Sequence, residues 1–90
     1  MSVITMLIKL LAVEGDLSSA SNVNKATVVR LFNNHSTNLV ITQKNAGGDT
    51  IGSFAADNGK VFFLEKSPTD TLESGSNGNS VKVVKVAYKN

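Results

Sequence analysis

Apolar and polar positions in this chain fall into short runs separated by Gly, Asn, Ser and Asp. The runs are Val3–Leu11, Ala26–Asn33, Leu39–Gln43, Thr50–Phe54, Lys60–Lys66 and Ser80–Tyr88. They are rich in Val, Ile, Thr and Phe, which suit a pleated, half-buried surface, and the intervening clusters supply turns. Val3–Leu11 fits two periods. Ile4, Leu7, Ile8 and Leu11 make a helical stripe, whereas Ile4, Met6, Ile8 and Leu10 make one face of a strand. Its β-branched residues and its β neighbours favour the strand.

Alternation assigns faces within the other runs. Val29 and Leu31 share one face, with Val28, Arg30 and Phe32 on the other. Leu39 and Ile41 oppose Val40 and Thr42. Ile51 and Phe54 are out of phase, so a bulge is expected at Gly52. Phe62 and Leu64 oppose Val61 and Phe63; a run apolar on both faces predicts a central strand or one whose outer face is covered. In the last run a bulge near Val83–Val84 would gather the valines on one face and send Lys82 and Lys85 outward. Asn45–Asp49 and Asp57–Gly59 read as hairpin turns. Gly15–Lys25 reads as a loop crossing between sheets. Ser67–Asp70 reads as a short helix start, with Ser67 as cap, Pro68 in the first position and Asp70 in the first turn. Ser74–Ser80 reads as a low-complexity loop. The expected fold is a single all-β domain over residues 1–90, an antiparallel sandwich or small barrel of about six to seven short strands.

Size and charge narrow the picture slightly. Ninety residues give one thin core, and the absence of cysteine removes disulfide and thiolate–metal staples. Stabilisation by self-association or by docking on a larger assembly is therefore expected, with a self-sufficient monomer as the alternative, since many domains near this size fold alone. Nine Lys and Arg against seven Asp and Glu leave a small positive charge, which bears on solubility and little else. Val3–Leu11 is too short for a bilayer span and lacks the flanks of a secretory signal, so a soluble protein with no membrane partner is expected.

Reactive chemistry is sparse. His35 is the single histidine, and it lies in a polar turn where an exposed imidazole is expected. Asp70 and Glu73 could share a helical face, but neither has an apolar setting that would raise a carboxyl pKa. Gly47–Ser53 echoes a phosphate loop without its lysine or its helix. Asn34-His35-Ser36 matches a glycosylation sequon, a triplet frequent by chance. Lys82, Lys85, Tyr88 and Lys89 could form a nucleic-acid stripe, although lysines on a terminal strand also serve against aggregation. No enzyme activity, cofactor, metal or small-molecule substrate is expected.

One longer pattern remains. The order VVRLFNN (28–34), NLVIT (38–42), IGSF (51–54), VFFLEKSPTDTLES (61–74) and KVAY (85–88) resembles small single-domain virion proteins of marine tailed phages, of the cyanophage type. Its most specific element is Glu65–Leu72. The resemblance implies a structural role on the particle, most simply a capsid decoration or cement protein assembled in the host cytoplasm. Its partners would be the major capsid protein or further copies of itself. A neck, tail or fibre component is the nearest variant, and a nucleic-acid-binding barrel the alternative from another class. The strip Ile4, Met6, Ile8, Leu10 and the outer face carrying Val61 and Phe63 are the expected contact residues.

Overall fold

Eight strands form in the computed structural model, which describes residues 7–89, with only the backbone considered at Lys89. They are β1 (Leu7–Leu10), β2 (Gly15–Asp16), β3 (Val28–Asn33), β4 (Leu39–Lys44), β5 (Thr50–Ala56), β6 (Val61–Glu65), β7 (Thr71–Ser74) and β8 (Val81–Lys89). The larger sheet has the order β1-β8-β3-β6, with β2 also on β8, and the smaller sheet the order β5-β4-β7; all pairings are antiparallel. The fold is an antiparallel β-sandwich.

The alternation of each run decides which side chains meet between the sheets. Val29 and Leu31 from β3, Val81 and Val83 from β8, Leu39 and Ile41 from β4, Ala56 from β5 and Leu72 from β7 are buried together, with Phe54, Phe62 and Leu64 packed against them. Leu17 and Val23, from the segment between β2 and β3, complete this core. Asn33 is the polar member. It is fully buried, its Nδ2 donates to the carbonyls of Thr37 (3.1 Å) and Ala56 (2.8 Å), and its Oδ1 accepts from the His35 amide (2.9 Å). It thereby ties the end of β3 to the smaller sheet.

Several expectations are corrected. The 15–25 segment is more than a loop: it holds β2, a bridge from Ser21 to Leu72 and a left-handed turn at Val23, Asn24 and Lys25 (φ 53°, 58° and 55°). Burial of Val23 holds a β-branched residue in this costly conformation. Asp57–Gly59 does turn, with Gly59 at φ 75°, but it is no hairpin. Gly59 N donates to Asn33 O (2.8 Å) and Asn33 N to Lys60 O (3.2 Å), which carries the chain onto β3 of the other sheet. Ser67–Asp70 closes as a turn, with Asp70 N on Ser67 O (3.0 Å) and Ser67 N on Asp70 Oδ2 (3.2 Å). It does not continue into a helix, because Leu72 alternates into the core and its strand pairs with β4. Ser74–Ser80 contains a 3₁₀ turn at Gly78–Ser80.

Two bulge expectations part company. Between β4 and β5 the register shifts at Gln43/Lys44, leaving Ile51 as the extra residue next to Gly52, and Ile51 stays exposed. Along β8 no bulge forms against β3: Val29 faces Lys85 and Asn33 faces Val81 in unbroken register. The irregularity falls on the opposite edge, where residues 11–14 stand beside Val84 and Lys85 between the β1 and β2 ladders. Nor is β6 a central strand; it is the edge of the larger sheet.

Candidate functional site

The unbroken β8 ladder builds the main surface feature. Register places Ile8 opposite Tyr88 and Leu10 opposite Val86. The same side of β8 carries Val84, which faces Arg30, and Arg30 in turn faces Phe63; Lys82 faces Phe32, which faces Val61. Directly opposed residues of an antiparallel pair point to one face. The expected contact residues Ile8, Leu10, Val61 and Phe63 thus share the outer face of the larger sheet, at its two edges. Val84, Val86, Tyr88 and Phe32 join them across the middle. Ile4 and Met6 lie outside the described residues.

Exposure on this face is uneven: Leu10 64%, Phe63 44%, Tyr88 44% and Val61 41% are open, whereas Val84 and Val86 between them are buried. The Phe63 and Tyr88 rings stand 6.3 Å apart between centroids, and so meet over β3. Toward β1 lies a groove of about 520 Å³, lined by Ile8, Leu10, Ala12, Glu14, Arg30 and Val84. Its polar component is one ion pair, Arg30 to Glu14 at 3.3 Å, with the Arg30 guanidinium also 6.0 Å from the centre of the Phe32 ring. At the rim Asp16 faces Lys82. The Ser18 amide donates to Asp16 Oδ1 (3.0 Å), and with the Ser18 side chain and Lys82 it holds the carboxyl below its ordinary value. An apolar surface crossed by the Arg30–Glu14 pair and bordered by Asp16 and Lys82 suits another protein's side chains. Sequence reasoning named the two ends of this face and missed its middle. Strict alternation carried through VKVVKVAY, without the supposed bulge, would have found Val84, Val86 and Tyr88.

The remaining candidates are dispersed. Lys82 lies on the outer face, its Nζ donating to Asn79 O (3.0 Å), whereas Lys85 shares the inner side with Val29; the proposed basic stripe is split between two faces. The Lys89 side chain lies outside the described part of the structure. His35 is half-buried, and its Nδ1 accepts from the Thr37 amide (3.2 Å) and lies 2.9 Å from Thr37 Oγ1. Asp70 Oδ2 accepts from Gln43 Nε2 (2.9 Å), and Glu73 pairs with Lys44 (2.7 Å). Sequence reasoning did not foresee Lys66. It is buried, donates to the carbonyls of Ser67 (3.2 Å) and Asp70 (2.9 Å), and is pushed below its ordinary pKa by that burial. Among the described residues no three His, Asp or Glu side chains converge as metal ligands, and no helix is long and apolar enough to cross a membrane. Comparison with protein-family models, with curated proteins and with solved structures yields no match.

Proposed function

We propose that this chain is a virion structural protein, docked by the outer face of its larger sheet on the capsid surface as a decoration or cement protein. The observation that carries the docking reading is the apolar outer face itself, with Leu10, Val61, Phe63 and Tyr88 open on one side of one sheet. The particle assignment rests on the resemblance carried by Glu65–Leu72 and its flanking strands. The area available favours an array over a free pair. Four strands about five residues long cover roughly 19 Å by 17 Å. With side-chain relief this is on the order of 500 Å² per copy, below the ~800 Å² per partner of a standard interface. Repetition over a symmetric lattice compensates through avidity.

The test uses purified particles and the variant Phe63→Asp. A charge placed in the apolar cluster that Phe63 forms with Tyr88 should abolish particle association while circular dichroism and thermal unfolding show a folded domain. A folded variant that still associates overturns this interface. Mass spectrometry of the particles separates the variants of the reading: on the order of hundreds of copies places the protein on the capsid, about a dozen on the neck or tail.

A further inference from the structure

We propose a second contact site, independent of the outer face, on the flank where β5 and β6 lie side by side: an acceptor for an extended strand of another protein that adds to the free edge of β5 and inserts one bulky apolar side chain between the sheets. β5 is an edge of the smaller sheet and β6 an edge of the larger. The chain passes from one to the other through a four-residue turn, and Phe54 meets Phe62 edge-to-face at 5.2 Å. The far edge of the smaller sheet is already engaged, since Ser21 N donates to Leu72 O (3.0 Å) and Leu72 N to Ser21 O (2.8 Å). No strand among the described residues pairs with the outer edge of β5, which runs for seven residues, TIGSFAA, without a charge or a proline. Natural proteins normally protect such an edge, and its free N–H and C=O groups are satisfied best by another extended backbone.

Beside this edge the sandwich is open. A cleft of about 200 Å³ lies between Ile41, Gln43, Gly52, Phe54, Leu64 and Leu72. That is room for one ring or branched aliphatic group, since cavities of about 150 Å³ already accept benzene. Gly52 sits at its mouth on the inward side, opposite Gln43, and a Cβ built there touches nothing within 4 Å. Charge selects the occupant. Exposed Asp49 and Asp57 stand just beyond the two ends of β5. Pairing β5 with its own copy about Ser53 would set Asp49 of each chain against Asp57 of the other, a repulsive arrangement. A different strand with Lys or Arg at its ends is attracted instead. Lys60, in the turn after Asp57, offsets part of that charge, so the Asp49 end contributes most.

The probe is the capped peptide Lys-Thr-Val-Thr-Phe-Thr-Val-Thr-Lys, titrated into the protein and followed by amide NMR shifts and hydrogen exchange. Binding should perturb Gly52, Phe54 and Leu64 and protect outward amides of β5. Gly52→Lys, whose Cβ meets nothing within 4 Å, should weaken binding at least about tenfold, as should Phe→Ala in the peptide, while Gly52→Ala retains it. Replacing the terminal lysines of the peptide by glutamates should weaken it at least about threefold. The proposal fails if the peptide does not bind at about 1 mM, if Gly52→Lys binds as well as the parent, or if the glutamate peptide binds equally. It also fails if sedimentation shows a dimer that Gly52→Lys dissolves, for then the occupant is a second copy.

Discussion

The two faces of the larger sheet are built from the same strands and nearly the same residue types, yet they end in opposite environments. On the inner side Val29, Leu31 and Val81 are fully buried, whereas on the outer side Val61, Phe63, Leu10 and Tyr88 keep between 41% and 64% of their surface. Hydrophobicity does not separate them. The difference is that β4, β5 and β7 supply a second layer on one side, whereas on the other only the central Val84 and Val86 are buried, among the side chains around them, and no second sheet among the described residues covers the rest. A strand that is apolar on both faces is therefore a demand for two covering layers, and the chain meets one. The unmet demand is what the docking proposal uses.

The largest effect should come from the covered face. Leu31→Ala should cost about 2–5 kcal/mol in urea unfolding, the range for truncating a fully buried leucine. Phe63→Ala, although it removes a larger side chain, should cost less, about 1–2 kcal/mol in the isolated domain, because only part of that ring leaves water. Equal losses would erase the contrast between the faces. Next comes Asn33→Ala, expected to cost about 1–3 kcal/mol by stranding the buried Thr37 and Ala56 carbonyls and the His35 amide. A neutral substitution would mean that water replaces all three bonds and that this residue does not hold the sheets together.

Lys66 sharpens the comparison from another side, since here a cation is buried while phenylalanine and leucine are exposed. Desolvation lowers its pKa from 10.5, and the Asp70 carboxylate draws it partly back. The folded protein thus releases this proton at lower pH than the unfolded chain. Below the lowered value both states are protonated and the burial penalty is complete. As pH rises from there to 10.5 the unfolded state holds more protons, and stability increases. Unfolding of the parent and of Lys66→Met, compared from about pH 8 to about pH 10.5, should show the parent gaining on the variant as pH rises. A constant difference would mean that the Ser67 and Asp70 carbonyls stabilise the ammonium as well as water does.

How far the sequence carried the fold can be read from particular residues. Alternation within Val28–Asn33, Leu39–Lys44 and Val61–Glu65 assigned inward and outward side chains correctly, because a period of two is a local property. The hairpin at Asn45–Asp49 was equally local, with Gly48 at φ 89°. The failures were set by distant partners. Asp57–Gly59 has hairpin chemistry, but Asn33 of another strand decides where the chain goes next. Ser67–Asp70 has cap chemistry, but Gln43 and Lys66 engage Asp70, and pairing with β4 draws Thr71–Ser74 into a strand. The outer face was half legible for the same reason: its edge residues stood out by alternation, while Val84, Val86 and Tyr88 depended on an uninterrupted ladder with β3.

The smallest expected effect tests whether the polar rim belongs to the fold or to the surface it borders. Asp16 faces Lys82 across the β2–β8 ladder and accepts the Ser18 amide, which keeps its carboxyl ionised below the ordinary value of 3.8. A lowered folded-state pKa contributes stability that is present above 3.8 and is lost as pH falls through the lowered value. Asn at this position retains an acceptor oxygen for Ser18 and removes the charge. Asp16→Asn should therefore leave stability near neutral pH almost unchanged and slightly flatten the acid limb of the stability–pH curve. A large loss near neutrality would show that the rim carries part of the fold, and the outer face would then be less separable from the core than its exposure indicates.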